Sequence, residues 1–138
     1  MFNRTIFRSV QYMRHMSTKV CVLGTDIDGK LDASIYNTIS AAKQFPDANI
    51  TVLLCGSNAE TAATEAASIA GVNQVLIDSQ DKYNHYLNES VSSLIASIQN
   101  KNQYTHILSS ANSIGKDILP RVGALLKSQP ITDVIAIE

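Results

Sequence analysis

The stretch ITVLLCGSNAETAATEAASIAG, residues 50–71, contains one strand and one helix in direct succession. Residues 50–55 are apolar or β-branched without interruption, which is typical of a strand covered on both faces. Ser57 and Glu60 have the spacing of a capping box, so we expect the helix to begin there and to end near Ala70. Its inner side is nearly all alanine, and these small side chains predict close packing of the helix on the sheet.

The same alternation of strand and helix extends over the rest of the chain. Further strands are predicted at residues 19–23, 74–77, 105–108 and 134–137. Three further helices are predicted where apolar residues recur at helical spacing. The first extends from a cap at Asp32 to about Phe45 and has Ile35, Ile39 and Ala42 on one face. The faces of the other two are formed by Leu87, Val91, Leu94, Ile95 and Ile98, and by Ile118, Val122, Leu125 and Leu126. In the last of these helices Pro120 must lie in the first turn or produce a kink.

This order of elements predicts the fold class. Buried strands that alternate with helices imply an α/β domain with an open, mostly parallel, Rossmann-like sheet and helices on both faces. No repeat or linker divides residues 19–138, so we expect one domain. The strand at 134–137 would lie at an exposed edge if nothing follows it, and such an edge predicts self-association of the isolated chain.

Residues 1–18 have the composition of a targeting segment. They contain three arginines and no acidic residue, and Phe2, Ile6 and Val10 are spaced four apart. A basic amphipathic helix without acids is typical of a mitochondrial presequence, whereas the arginines interrupt any apolar region long enough for a secretory signal. We therefore predict cleavage near Ser17 and a location in the mitochondrial matrix. A basic N-terminal arm is the alternative.

The composition of the 138 residues excludes several classes of protein. Apolar residues make up 45% and charged residues 17%, too apolar for a disordered chain, and no apolar run is long enough to insert into a membrane as a helix. Residues 20–138 contain seven basic and twelve acidic side chains, so nucleic acid is not an expected partner. Cys21 and Cys55 lie in apolar strands and are predicted to be free, buried and unreactive thiols.

The loop after the first strand, GTDIDGK at residues 24–30, lacks the glycine spacing of a dinucleotide site. Asp26, Asp28 and Asp32 only faintly resemble a calcium loop, because the glycine comes two positions early and Asn37 stands where the bidentate glutamate is needed. We interpret these residues as a turn followed by a helix cap.

The loop after the fourth strand, SSANSIGKD at residues 109–117, ends in Gly-Lys like a phosphate-binding loop. However, Ser110 replaces the leading glycine, and Asp117 stands where a magnesium-binding hydroxyl is required. The preferred interpretation is a helix cap at Asn112 or Ser113. A weaker alternative is anion binding by the hydroxyl-rich turn at the helix N-terminus.

Histidines and cysteines suggest no catalytic arrangement. His15, His85 and His106 lie in the leader, a loop and a strand, and none has a Cys, Asp or Glu at metal-ligand spacing. No Ser–His–acid or Cys–His pattern is present. We therefore assign no catalytic, cofactor-binding or metal residue and expect no enzymatic activity.

Several motifs together resemble the N-terminal domain of the electron transfer flavoprotein alpha subunit. They occur in family-like order and cover nearly all of residues 19–138: VLG at 22–24, GKL at 29–31, TISAAKQ at 38–44, ITVLLCG at 50–56, AGVNQVL at 70–76, GKDILPRVGALL at 115–126 and ITDVIAI at 131–137. The segments at 115–126 and 131–137 are the most specific of these.

The resemblance implies a role within a larger assembly. The family's alpha subunits are more than twice as long, with an adenine-nucleotide-hydrolase-like N-terminal domain and a C-terminal domain that holds most FAD contacts. This chain then corresponds to a truncated N-terminal domain, residues 19–138, that binds no FAD tightly itself. Its implied role is that of scaffold and interface to the beta subunit, in a heterodimer that carries electrons from acyl-CoA and related dehydrogenases to the respiratory chain through a membrane quinone oxidoreductase.

Two other interpretations are left open by the sequence. One is a free-standing adenine-nucleotide-binding module like the universal stress proteins, although the glycine-rich phosphate loop expected after strand four is missing. The other is a regulatory decoy that pairs with the beta subunit in competition with full-length alpha.

Overall fold

The structure is a computed structural model that describes residues 17–138. The predicted presequence, residues 1–18, lies outside this range except for its last two residues, so it stays a prediction. Within the described residues no helix is both long and apolar enough to cross a membrane.

The elements alternate as the sequence predicts, with one additional hairpin. In chain order they are β1 (Lys19–Leu23), β2 (Asp26–Ile27), β3 (Lys30–Leu31), α1 (Ser34–Ala42), β4 (Asn49–Cys55), α2 (Ala59–Ser68), β5 (Val72–Asp78), a short 3₁₀ helix (Asp81–Tyr83), α3 (Asn88–Asn102), β6 (His106–Ser109) and α4 (Ser113–Leu126).

Four strands form one parallel sheet in the order β5-β4-β1-β6. In its centre Val22 pairs with Val52 on one side and with Leu108 on the other. The chain moves outward from β1 to β4 and β5 and then crosses to β6 on the opposite side of β1. The gap between the carboxyl ends of β1 and β6 is therefore the topological switch point, where open sheets usually bind their ligands.

Both faces of the sheet are covered, as predicted. Alternate residues of β1 point to opposite faces, so Val20 and Val22 pack in the core formed with α1 and α2, whereas Cys21 and Leu23 pack with α3 and α4. The α/β class with a mostly parallel sheet is thus confirmed.

The alanines of α2 face the sheet. Ala59, Ala62, Ala63 and Ala66 are buried, which confirms the predicted close approach. The predicted capping box is wrong, since the N-cap is Asn58 and no side chain bonds to the helix end. The Ser57 N–H donates instead to the Asn84 side chain at 2.6 Å, so it is not available to Glu60 as a capping box requires.

Helix α1 is shorter than predicted at both ends. It begins at Ser34 and ends at Ala42, not Phe45. Asp32 still acts at its N-terminus, because Oδ1 accepts a hydrogen bond from the Ser34 N–H at 3.0 Å. The strand predicted at 74–77 is longer, and the one predicted at 105–108 is shifted by one residue.

Two predicted helix faces need correction. Leu87 precedes α3 and is mostly exposed, so it does not belong to that helix's buried face. In α4, Ile118 and Val122 are buried, but Leu125 is half exposed. Pro120 lies inside α4 and not in its first turn, because the helix begins earlier than the apolar pattern suggested, at the cap Asn112.

The fifth strand predicted at 134–137 is wrong for this chain. After α4 the backbone turns back along the same helix: the Ser128 N–H donates to the Gly123 carbonyl at 2.9 Å, and Lys116 Nζ lies 3.8 Å from Asp133 Oδ1. Gly123 allows this path, since a Cβ there would lie 2.7 Å from the Ser128 carbonyl oxygen and 3.0 Å from Pro130 Cδ. The segment follows α4 without pairing to β6, which leaves Ile135 fully exposed.

Leucine at position 66 is expected to destabilise the fold, whereas leucine at position 67 is not. Ala66 is completely buried against the sheet and Ala67 is exposed on the same helix. Ala66→Leu should lower the free energy of unfolding by about 1–3 kcal/mol through overpacking. Ala67→Leu should change it by less than about 0.5 kcal/mol. Urea denaturation measures both, and equal losses would contradict the close packing of α2.

Candidate functional site

The switch point between β1 and β6 is filled by polar side chains of the chain itself. We call Thr25, Asp32, Thr38, Ser110 and Asn112 the switch-point cluster. Asp32 Oδ2 accepts hydrogen bonds from Thr25 Oγ1 at 3.4 Å and from Asn112 Nδ2 at 3.3 Å. The Thr38 and Ser110 hydroxyls lie 3.0 Å apart. These bonds join the loop after β1, helix α1 and the loop after β6 at the point where a ligand would be expected.

Asn112 has a second role as the N-cap of α4. Its Oδ1 accepts a hydrogen bond from the Gly115 N–H at 2.8 Å, which confirms the predicted cap. Gly115 itself is required by a close approach, because a Cβ there would clash with the Ser110 carbonyl and the Ser109 hydroxyl. Close packing therefore explains Gly115, the glycine of the Gly-Lys pair. The lysine of the pair, Lys116, lies near Asp133.

The carboxylate of Asp32 makes the switch point unfavourable for phosphate. The hydrogen bond from the Ser34 backbone N–H, supported by the side-chain bonds from Asn112 and Thr25, lowers the pKa of Asp32 below its ordinary value. Asp32 is therefore ionised at neutral pH, and its negative charge would repel an incoming phosphate.

A second feature of the carboxyl edge is an open cleft of about 370 Å³. The hairpin β2–β3, the turn between β4 and α2, and the loop before α3 surround it. Its walls are formed by Asp26, Ile27, Asp28, Cys55, Gly56, Ser57, Asn58, Asn84, His85, Tyr86 and Ile114.

Tyr86 fastens the hairpin to the loop before α3. Its hydroxyl donates to Asp26 Oδ1 at 2.5 Å and accepts from the Asp26 N–H at 2.9 Å. Burial and the bond to Asp26 raise the pKa of Tyr86 well above its ordinary value, so the hydroxyl keeps its proton. The hairpin itself turns at Asp28 and Gly29, both with positive φ, as in the tight turns favoured by Asp-Gly.

The three aspartates of the faint calcium pattern have separate tasks. Asp26 binds Tyr86, Asp28 is exposed in the hairpin turn, and Asp32 belongs to the switch-point cluster. A turn followed by a helix cap therefore explains them, as predicted. Residues 17–138 contain no group of three or more His, Cys, Asp or Glu side chains arranged to hold a metal ion.

Cysteines and histidines also have structural surroundings. Cys21 and Cys55 are free and buried, as predicted, and burial raises the pKa of each thiol to about 12. The negative charges of Asp26 and Asp78 raise the pKa of Cys55 further, whereas a nucleophilic thiol needs a lowered pKa. His85 is exposed at the cleft, and the His106 ring contacts Phe45 with centroids 4.2 Å apart.

Removing the Asn112 side chain is expected to destabilise the fold through loss of the α4 cap. Asn112→Ala should lower the free energy of unfolding by about 1–2 kcal/mol. Asn112→Ser keeps a capping oxygen but is too short for Asp32, so it should recover more than half of that loss. Thermal and urea denaturation of both variants give the comparison. Equal losses would mean that the Asp32 bond, and not the cap, is the important contact.

The buried thiols should make the fold sensitive to alkaline pH. Thiols in the unfolded chain titrate near pH 8.5, whereas burial holds the pKa of Cys21 and Cys55 at about 12. The contribution of the neutral thiols to the free energy of unfolding is complete below about pH 8.5. It is lost as the pH rises toward 12, by up to about 1.4 kcal/mol per pH unit for each thiol. Stability measured from pH 8 to 10.5 should fall less steeply in the double variant Cys21→Ala/Cys55→Ala. An identical slope would contradict the buried, neutral state.

The chain is similar in sequence to a family of known proteins. The family model described as "Electron transfer flavoprotein domain" matches residues 20–138. The chain is 38% identical over 120 residues to the mitochondrial electron transfer flavoprotein subunit alpha of Arabidopsis thaliana, covering 84% of this chain and 33% of the relative. Similarity extends to bacteria, with 37% identity to the alpha subunit of Pseudomonas aeruginosa and 38% to that of Paracoccus denitrificans, each covering 86% of this chain and 37% of the relative.

The chain spans about a third of the length of these relatives. The family match nevertheless includes the sheet from Val20 onward, the switch-point cluster and the cleft. The relatives named here are alpha subunits, and the chain belongs to the electron transfer flavoprotein family.

Proposed function

We propose that this chain supplies the N-terminal scaffold domain of an electron transfer flavoprotein alpha subunit and binds the beta subunit. The observation that carries the proposal is the continuous match of residues 20–138 to alpha subunits, on a domain whose switch point is closed by its own side chains. A domain without a vacant ligand position there fits a supporting role better than a catalytic one.

In this proposal FAD is the cofactor of the complete protein and is held mainly by a C-terminal domain. Two features of the described residues argue against tight flavin binding by this chain. Asp32 places negative charge at the switch point, and Asp26 and Asp28 line the cleft. Carboxylates at both places disfavour the pyrophosphate of a dinucleotide.

The complete heterodimer would act as an electron carrier and not as an enzyme. We propose that it takes electrons from acyl-CoA and related dehydrogenases, in fatty acid β-oxidation, and passes them through FAD to a membrane quinone oxidoreductase. The family's description as flavoproteins of electron transfer supports the general part of this role. The partners follow only from the resemblance.

A mitochondrial matrix location completes the proposal. It is supported by the arginine-rich, acid-free composition of residues 1–18 and by the mitochondrial alpha subunits of Arabidopsis thaliana and rice among the relatives. The family match begins at residue 20, two positions after the end of that segment.

The universal-stress-type module that the sequence leaves open makes a different demand on the switch point. It would need room for adenine nucleotide at the ends of β1 and β6. The Asp32–Asn112 and Thr38–Ser110 contacts occupy that position. No feature of the described residues favours this candidate over the scaffold role.

Flavin and subunit binding test the proposal together. The 138-residue chain is mixed with excess FAD, desalted and examined for the flavin band at about 450 nm. It is also co-expressed with a tagged beta subunit from the same source. We expect no retained flavin and stoichiometric co-purification with beta. The variants Ala66→Leu and Ala67→Leu serve as a matched pair, since only the overpacked one should weaken co-purification if binding needs the folded domain.

Contrary outcomes have distinct meanings. Stoichiometric flavin on the chain alone would show that the cofactor site lies within it. Failure to bind beta would remove the scaffold role, and micromolar binding of AMP by calorimetry would favour the nucleotide module.

A further inference from the structure

A polar cavity of about 300 Å³ lies at the amino ends of the strands, on the face of the sheet that α3 covers. We call it the amino-edge cavity. Its walls come from the beginnings of β1, β4 and β5 and from the end of α3, and they include Lys19, Thr51, Gln74, Lys101, Asn102 and Tyr104. Open parallel sheets usually bind ligands at the opposite, carboxyl edge, so the fold class does not predict this cavity.

Thr51 brings a buried hydroxyl to the wall of the cavity. It pairs with Cys21 of β1 and alternates with Leu53 and Cys55 along β4, so its side chain lies on the face covered by α3. Thr51 is only 3% exposed, yet its hydroxyl has no hydrogen-bond partner within residues 17–138. Buried hydroxyls in folded proteins nearly always have a partner. The Thr51 hydroxyl is therefore available to a molecule in the cavity.

Tyr104 supplies a second hydroxyl from another wall. Its side chain is 9% exposed, and its oxygen accepts a hydrogen bond from Asn102 Nδ2 at 3.0 Å. In the described part of the chain this is the only hydrogen bond of that hydroxyl, so its proton is not donated to any group there. Thr51 and Tyr104 together offer two O–H donors to a ligand that carries acceptors.

Two lysines give the amino-edge cavity its charge. Lys19 Nζ lies 3.4 Å from the Asn102 carbonyl oxygen, a contact that holds the ammonium beside the end of α3 and leaves two of its three N–H groups for a ligand. Lys101 lies in the last turn of α3. None of the residues that line this cavity is acidic, whereas Asp26 and Asp28 line the cleft at the carboxyl edge.

We propose that the amino-edge cavity binds a phosphate group. A phosphate monoester carries a charge of about −1.5 to −2 at neutral pH and presents three strong acceptor oxygens. This matches two ammonium groups and two hydroxyl donors, whereas a carboxylate carries a single charge and two oxygens. The volume equals that of roughly ten water molecules, which leaves room for a short organic substituent on the phosphate.

This inference does not depend on the flavoprotein role. The amino-edge cavity lies at the opposite end of the sheet from the switch-point cluster and the cleft. Its test uses neither flavin nor beta subunit, so either proposal can fail while the other stands.

The first test locates the site. NMR spectra of the backbone amides are recorded while the 138-residue chain is titrated with inorganic phosphate at constant ionic strength. We expect saturable shifts around Thr51, Lys101 and Tyr104, with a dissociation constant on the order of 1 mM for a small open site with a few charge-assisted hydrogen bonds. Shifts that do not saturate, or that saturate only elsewhere in the chain, would overturn the proposal.

Two further titrations identify the source of the phosphate. Glycerol phosphate that binds more tightly than inorganic phosphate would identify a phosphate monoester as the ligand, and equal or weaker binding would identify the free ion. Acetate should bind at least fivefold more weakly than phosphate because it has less charge and fewer acceptors. Acetate binding at the same affinity would contradict recognition of phosphate.

Thr51→Val tests the buried hydroxyl with little change in shape. It should weaken phosphate binding about tenfold, since a hydrogen bond to a charged group is lost. Without phosphate the variant should be as stable to urea as the parent chain or more stable, because a methyl group replaces an unpaired hydroxyl in a strand. Phosphate binding equal to that of the parent chain would overturn the proposal.

Lys101→Gln tests the charge and has a matched control in Lys30→Gln. Both lysines are exposed and both substitutions remove one positive charge, but Lys30 lies on the hairpin at the carboxyl edge. Lys101→Gln should weaken phosphate binding about fivefold, and Lys30→Gln by less than about twofold because solvent and salt screen distant charges. Equal weakening in the two variants would show an effect of net charge alone and would overturn the proposal.

Discussion

The pairing of β1 with both β4 and β6 is the constraint on which the rest of the structure depends. Because β1 has a neighbour on each side and helices on each face, its end at Leu23 is fixed, and the loop that follows must leave above the switch point. The loop after β6 leaves at the same level. Their meeting is a consequence of strand order, and the hydrogen bonds of Asp32 and Asn112 close a gap that this order creates.

Closing the gap with the chain's own side chains changes what the fold can do. Open parallel sheets usually offer their switch point to a ligand. Here Thr25 and Asn112 donate to Asp32, and the Thr38 hydroxyl pairs with that of Ser110, so these polar side chains already have partners within the chain. In the proposed function, a sheet closed in this way serves as a support and not as a ligand site. The chain's membership of the electron transfer flavoprotein family means that this closed sheet occurs in a family of redox proteins.

Much of the fold could be predicted because its signals are local. Short runs of mostly apolar and β-branched residues predict the four sheet strands, and the alanine-rich inner side predicts the face of α2 that Ala59, Ala62, Ala63 and Ala66 form. The misses had non-local causes. Ser57 is not the cap because the helix begins one residue later, after Asn58, and Asn84, distant in sequence, takes the Ser57 N–H that Glu60 would have bonded in a capping box. The segment at 134–137 has a strand pattern, but contacts with α4 determine its course.

The candidate site was only partly predictable for the same reason. Asn112 was found because a cap acts within a few residues of itself. Asn112 and Asp32 are eighty positions apart in the sequence, so no local pattern predicts the hydrogen bond between them. The Asp-Gly pair at residues 28–29 is typical of a hairpin, although only a turn is predicted there from the sequence.

The link between Tyr86 and Asp26 has a mechanical consequence for the mouth of the cleft. One phenolic oxygen holds both the amide and the carboxylate of the same residue. The hairpin and the loop leading to α3 therefore cannot swing apart independently, because any outward movement of either must break two bonds at once. A single aromatic ring thus makes one stiff rim from two segments sixty residues apart.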